Sequence, residues 1–315
     1  MLSNNLDYKY ITGQPDPYVI HENGRFYLYA THNDGITLFV SDDMENWSCR
    51  GFVLTEKKET AFWAPAVFKC DGQYYLYYSS VPVGCQDSHE ECLKVAAADS
   101  PEGPFTYIGT LLPPFSIDAH VVTYRGQMYI FYSTNIWSGN RVGTIIVLDR
   151  LTNPFTAEGR PQPVLLPTLE QEVSWPARDF GDGKPFVKWH TVEGAFYFYK
   201  DGVHYLMYSG SAFQNDNYFV GYATSRDECE DLRDVRFTKY PDDKTFQPLL
   251  FRDGVQEGTG HNSVLRYNGA YYIFYHARTV DIPDDGTDCR SLRINRLTAE
   301  DGILTVGEPI PTNLE

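Results

Sequence analysis

Residues 191–210 read TVEGAFYFYKDGVHYLMYSG: one acid, Glu193, then an aromatic and apolar run, an Asp-Gly turn and a second aromatic run. Asp-Gly between two such runs signals a hairpin, because glycine enters positive φ at little cost. The arrangement recurs as PDPYVIHENGRFYLYAT (15–31), APAVFKCDGQYYLYYSS (64–80), DAHVVTYRGQMYIFYST (118–134) and HNSVLRYNGAYYIFYHA (261–277). A third strand follows each hairpin, at GITLFVSDD, LKVAAADSP, GTIIVLDRL, FVGYATSRD and RSLRINRLT, and SCRGFVL and FTYIGTLL read as fourth strands. Helical periodicity is nowhere sustained beyond a turn at SRDECEDLRD. Five repeated units of this size imply a radial array of sheets, whereas a two-sheet sandwich does not predict five similar units. The expectation is an all-β, five-bladed β-propeller forming one domain over residues 1–315.

The turn glycines, Gly24, Gly72, Gly126, Gly202 and Gly269, set a common register. Eight residues before the first, third and fifth stand Asp16, Asp118 and His261; nine before the second and fourth stand Trp63 and Glu193. In a propeller the first strand of each blade is innermost, so the five residues at its start converge on one rim of the central channel. An acid ahead of a strand also serves as a turn cap. Three acids in equivalent slots favour convergence, since independent caps need share no register.

Composition narrows the partner. The chain has 315 residues, 24 of them Tyr and 19 Phe, and a formal net charge of −16. Aromatic side chains suit a pleated surface. The charge argues against nucleic acid, whose phosphates need clustered Lys and Arg, and against an anionic membrane. It permits a neutral partner such as a sugar. The N-terminal residues MLSNNLDYKYITGQ have neither a basic start nor an apolar stretch, and the six cysteines are scattered, so the expectation is a cytoplasmic protein with free thiols; Cys85 and Cys92 could also bridge a loop.

Carboxyl groups facing one pocket suit glycoside hydrolysis. A protonated acid donates to the leaving oxygen while an ionised one activates water, and inverting enzymes hold the two roughly 6.5–9.5 Å apart. A third carboxylate raises its neighbour's pKa. Trp63 offers an apolar face to a sugar ring, or serves the core. In the insertion LEQEVSWPARDFGDGKPF, Glu172, Asp179 and Asp182 read as loop residues, and Trp175 and Trp189 as sugar contacts or packing. His120, two residues after Asp118, reads as core. No zinc-binding spacing, Gly-x-Ser-x-Gly or phosphate loop is present.

The motifs GQPDPYVI, FWAPAVF, SIDAHV, VEGAFYFYKDG and GTGHNSV, in this order over nearly the whole chain, resemble the blade motifs of glycoside hydrolase family 43. The resemblance implies a five-bladed propeller and hydrolysis with inversion. By matching motifs it makes Asp16 the general base, Glu193 the general acid and Asp118 the residue that tunes and orients that acid. His261 matches a histidine that the family associates with calcium held through water. The resemblance thus admits a structural calcium in the central channel and requires no cofactor for chemistry. Arg290, in DCRSLRINRL, resembles the arginine beside acid and substrate, with Arg278 in YHAR as runner-up. Ala195 departs from the proline that many relatives carry after Glu-Gly, which leaves the subgroup open. The expected activity is an exo-acting α-L-arabinofuranosidase on short arabinose-containing oligosaccharides. The alternatives are β-D-xylosidase, endo-α-1,5-L-arabinanase and, from another class, a non-catalytic carbohydrate-binding propeller. Because the sequence ends soon after the fifth unit, no C-terminal β-sandwich of the kind found in many of the family's β-xylosidases is expected.

Overall fold

The structure, a computed structural model, describes residues 13–179, 187–280 and 289–314. Its strands form four hydrogen-bonded sheets, one of them ten-stranded and made of two antiparallel units, so that five units follow one another along the chain. The first contains β1 (Tyr18–Glu22), β2 (Arg25–Ala30), β3 (Ile36–Ser41) and β4 (Asn46–Leu54), and the second β5 (Glu59–Cys70), β6 (Gln73–Pro82), β7 (Cys92–Ala98) and β8 (Thr106–Thr110). The third contains β9 (Ile117–Tyr124), β10 (Gln127–Ile136) and β11 (Gly143–Asn153), with short β12 (Thr156–Ala157) and β13 (Gln162–Leu165) on the edge of β11. The fourth contains β14 (Val173–Arg178), β15 (Val187–Lys200), β16 (Val203–Gly210), β17 (Phe219–Ser225) and β18 (Thr238–Lys239). The fifth contains β19 (Gln256–Tyr267), β20 (Ala270–Thr279), β21 (Ser291–Glu300) and β22 (Ile303–Ile310). A last strand, β23 (Asn313–Leu314), returns to pair in parallel with β4.

Alternation along each second strand explains why the units pack side by side. On β6, Leu76 and Tyr78 face the first unit, and Tyr75 and Tyr77 face the third. On β16, Leu206 and Tyr208 join Phe131 and Ile146 of the third unit, while Tyr205 and Met207 join Ile273 and Tyr275 of the fifth. The fifth cluster closes the circle: Phe26 and Leu28 of the first unit pack on Phe274 and Leu292. Period-2 strands that are apolar on both faces must be covered on both, and five such strands achieve this by forming a ring. Each large side chain so buried contributes roughly 1.5–3 kcal/mol. The first strands also touch in ring order, β1 to β5 to β9 to β15 to β19 and back to β1. The expected propeller is therefore the architecture observed, and the turn at SRDECEDLRD is a single 3-10 turn at Leu232–Asp234.

Two units are also joined by backbone. Gly143 and Thr144 of β11 pair in parallel with His190 and Thr191 of β15. At Gly143, φ is 152°, and a Cβ there would lie 1.8 Å from the His190 carbonyl oxygen, so only glycine allows this approach. Cys85 and Cys92 form no bridge to each other.

Candidate active site

The site is built from a kink that recurs in all five units, at or just before the inner strand. Eight residues before each turn glycine stand Asp16, Ala64, Asp118, Gly194 and His261, with φ of 53°, 45°, 60°, 63° and 42°. The ladders slip at the same level in four units, between Trp63 and Ala66, Phe131 and Ser133, Glu193 and Phe196, and Gly260 and Ser263. A bulge of this kind re-aims side chains. Asp and His, like Gly, are among the residues that tolerate the left-handed region best. Where the kinked residue is Ala64 or Gly194, the functional side chain is one position earlier, at Trp63 or Glu193, which reconciles the spacings of eight and nine.

The expectation that these residues begin their strands needs correction. Asp16 precedes β1 and Asp118 is the second residue of β9, but Trp63, Glu193 and His261 lie well inside β5, β15 and β19. Past the kink these chains recover pairing and run on.

Asp16 is buried and each of its carboxylate oxygens accepts a hydrogen bond. Oδ2 accepts the Thr31 hydroxyl at 2.6 Å, Oδ1 accepts Arg290 Nη1 at 3.2 Å, and the Asp16 backbone N–H donates to His276 Nδ1 at 3.1 Å. Burial alone would raise its pKa, but Arg290, His261 and the Thr31 bond outweigh it and hold the carboxyl far below the usual range. His276 is itself pushed well below the usual imidazole range by burial and by Arg290. With its Nδ1 accepting a backbone N–H, it is a neutral partner, and we assign the field on Asp16 chiefly to Arg290.

A chain of contacts leads from Asp16 to Glu193. His261 Nδ1 lies 3.6 Å from Asp16 Oδ1 and 4.0 Å from Asp118 Oδ1. Asp118 Oδ2 accepts the Ser133 hydroxyl at 3.0 Å and the Gly194 N–H at 3.1 Å, so it holds the backbone next to Glu193. Burial raises the pKa of Asp118; His261 draws it back, and the charge of Asp16 adds to the rise. Glu193 Oε1 accepts the Tyr218 hydroxyl at 2.8 Å. Burial first, then the charge of Asp118, push Glu193 well above the ordinary carboxyl range, and the Tyr218 bond offsets part of this. Glu193 is half-buried, so solvent tempers the rise.

Glu193 opens onto a cleft of about 150 Å³ lined also by Trp63, Trp175, Trp189 and Phe213. Arg290 is buried, with its guanidinium 4.3 Å from the centre of the Phe213 ring, and its ion pair is with Asp16. Arg278 serves another purpose: it bonds the carbonyls of Phe213 and Asn215 and the carboxylate of Glu257, fixing the loop that carries Phe213. His120 is core, its ring centre 4.1 Å from that of Phe196 at a tilt of 34°, with Nε2 on the Tyr197 carbonyl. Glu172 is not a loop carboxylate. It is fully buried in an ion pair with Lys239 and accepts the N–H groups of Thr168 and Leu169. Asp179 is exposed, and Asp182 lies outside the described residues. Trp189 is buried against Trp137, whereas Trp175 is exposed.

Calcium takes six to eight oxygen ligands. Among the described residues no group of three His, Cys, Asp or Glu side chains is arranged to hold a metal ion. Both Asp16 oxygens are already engaged by Thr31 and Arg290. The residues around His261 thus do not fit a directly ligated calcium.

Thr31, Ser133, His276 and Tyr218 were not singled out from the sequence, although a signal for three of them was present. Seven residues after each turn glycine stand Thr31, Ser79, Ser133, Ser209 and His276, polar residues at the end of an aromatic strand, all buried. They face the kinks: Thr31 and Ser133 bond the two aspartates, and Ser209 accepts the His261 N–H at 2.8 Å. Tyr218 precedes β17 and gave no such signal.

Residues 11–304 match the family described as Glycosyl hydrolases family 43. The chain is 25% identical over 96% of its length to alpha-L-arabinofuranosidase 43 of Humicola insolens, and 25% identical over 86% to an extracellular exo-alpha-(1->5)-L-arabinofuranosidase of Streptomyces avermitilis. It spans 63% and 56% of those proteins' lengths. Its fold resembles the crystal structure of a thermostable family-43 glycoside hydrolase, with a TM-score of 0.78 and 27% identity, covering 96% of this chain and 95% of the other. The expected cytoplasmic location is corrected by these relatives, one of which is named as extracellular. The residues that suggested it, free thiols and a polar start, do not set a compartment.

Proposed function

The chain belongs to glycoside hydrolase family 43 and is a glycoside hydrolase acting on carbohydrate; from that premise we propose that it is an inverting, exo-acting α-L-arabinofuranosidase on short arabinose-containing oligosaccharides. The observation that carries this reading is the opposite setting of two carboxyl groups: Arg290 donates to Asp16 at 3.2 Å and lowers its pKa, while burial and the charge of Asp118 raise that of Glu193. Two carboxyls whose environments drive their pKa values apart are the mark of an acid and base pair.

In this mechanism Asp16 takes a proton from water as the water attacks the anomeric carbon. Glu193 gives its proton to the glycosidic oxygen, whose bond to that carbon breaks, and the leaving sugar departs on the Glu193 side. Asp118 positions Glu193 through the Gly194 N–H and adds the negative field that keeps it loaded. We propose no metal for the chemistry, since Arg290 supplies the positive charge beside Asp16.

The test is a screen of para-nitrophenyl α-L-arabinofuranoside, para-nitrophenyl β-D-xyloside, short arabinans and short xylans, with products separated over time. Release of arabinose one residue at a time is the expected result. Xylose release identifies a β-D-xylosidase, internal cleavage an endo-arabinanase, and either overturns the proposed specificity.

A further inference from the structure

The side of Glu193 that carries the cleft is the side on which a leaving group departs, because the acid donates to the glycosidic oxygen. On β15, Trp189, Thr191 and Glu193 alternate onto one face and all line this cleft, while Asp16 and Asp118 lie outside its lining. Trp175 stands opposite Trp189 in the β14–β15 ladder, is 42% exposed and borders this cleft. Its neighbour Ser174 is bound from three directions. The Ser174 hydroxyl donates to the Trp189 carbonyl at 3.2 Å and accepts from Thr191 at 2.9 Å, and its carbonyl accepts from Asn215 Nδ2 at 3.1 Å. The indole is thus carried on backbone fixed to the strand that bears the acid. Phe213, 38% exposed, lines the same cleft from the loop held by Arg278.

We propose that Trp175 is a specificity-determining platform for the leaving group, and that with Trp63 and Phe213 it forms a subsite for a single sugar ring. The inference rests on the reading of Glu193 as the acid. An exposed indole beside polar hydroxyls and amides offers one apolar face and rim hydrogen bonds, the chemistry that a sugar ring requires. A volume of about 150 Å³, below the roughly 300–1,000 Å³ of larger ligand sites, matches the size of one sugar ring.

A glycosyl fluoride separates this role from the chemistry, because fluoride leaves without occupying the subsite. The full chain and its Trp175→Ala and Trp175→Tyr variants are compared on α-L-arabinofuranosyl fluoride, β-D-xylosyl fluoride and the matching disaccharides, with thermal unfolding as the check on folding. Trp175→Ala is expected to lower kcat/KM on the disaccharide by about tenfold, the scale of one aromatic stacking contact, and to leave the fluoride rate unchanged. Trp175→Tyr is expected to restore most of the loss. Equal losses on fluoride and disaccharide, or no loss on the disaccharide, overturn the subsite. A wild-type protein that hydrolyses neither fluoride overturns the functional reading itself, and the subsite with it.

Discussion

Arg290 donates to Asp16 across 274 positions of sequence, at 3.2 Å, and both side chains are buried. The contact joins the fifth unit to the segment before the first, so closure of the ring and ionisation of Asp16 depend on the same pair. The Gln14 N–H bond to the Arg290 carbonyl at 2.9 Å reinforces it.

Replacing Arg290 with Ala leaves a buried carboxylate without its cation, which destabilises a fold by about 3–5 kcal/mol. The pKa of Asp16 then rises, and a group required in its ionised form sets the acidic limb of the rate profile. That limb is expected to move to higher pH, with Arg290→Lys moving it less. A profile of kcat/KM against pH checks this; an unmoved acidic limb contradicts it.

Two variants are expected to move the basic limb in opposite directions. The charge of Asp118 raises the pKa of Glu193, so Asp118→Asn lowers it and brings the basic limb down. The Tyr218 hydroxyl lowers it, so Tyr218→Phe sends the limb up. The same profiles read both shifts, and movement in one direction by both variants would falsify the assignment of Glu193 to that limb.

Removing the acid and removing the base should differ in their dependence on the leaving group. Glu193→Gln is expected to cost about 10²–10⁴-fold on a sugar leaving group and much less on fluoride. Asp16→Asn is expected to abolish turnover of both. Initial rates on the two substrates provide the check.

Gly194 has φ of 63°, and a Cβ there would stand 3.3 Å from His261 Nδ1. Gly194→Ala is expected to destabilise the chain by roughly 1 kcal/mol and to reduce kcat by far more than the fraction unfolded, because the kink aims Glu193. Thermal unfolding and kcat measured on one preparation separate the two effects.

The fold was legible in the sequence because each blade repeats a hairpin with alternating faces, and that repetition also set the register of Asp16, Asp118, Glu193 and His261. The kink was not legible. Strand patterns continue through it in β5, β15 and β19, and the left-handed position has no single composition, being Ala64 in one unit and Gly194 in another. Glu172 was misread because its partner Lys239 is distant in sequence and both are buried, a pairing that spacing does not reveal. Motif matching ranks Arg290 ahead of Arg278 without separating what each side chain touches. They diverge because Arg290 stands beside the Gln14–Asp16 segment, while Arg278 meets the carbonyls of Phe213 and Asn215.

The most direct test follows the anomeric proton of the first sugar released, by NMR, before mutarotation mixes the forms. With Asp16 activating water on one face of the sugar and Glu193 protonating the oxygen on the other, the new sugar must appear with the configuration opposite to the bond cleaved. Release with the original configuration would mean that a carboxylate had bonded to the sugar first, and the roles given to Asp16 and Glu193 could not stand.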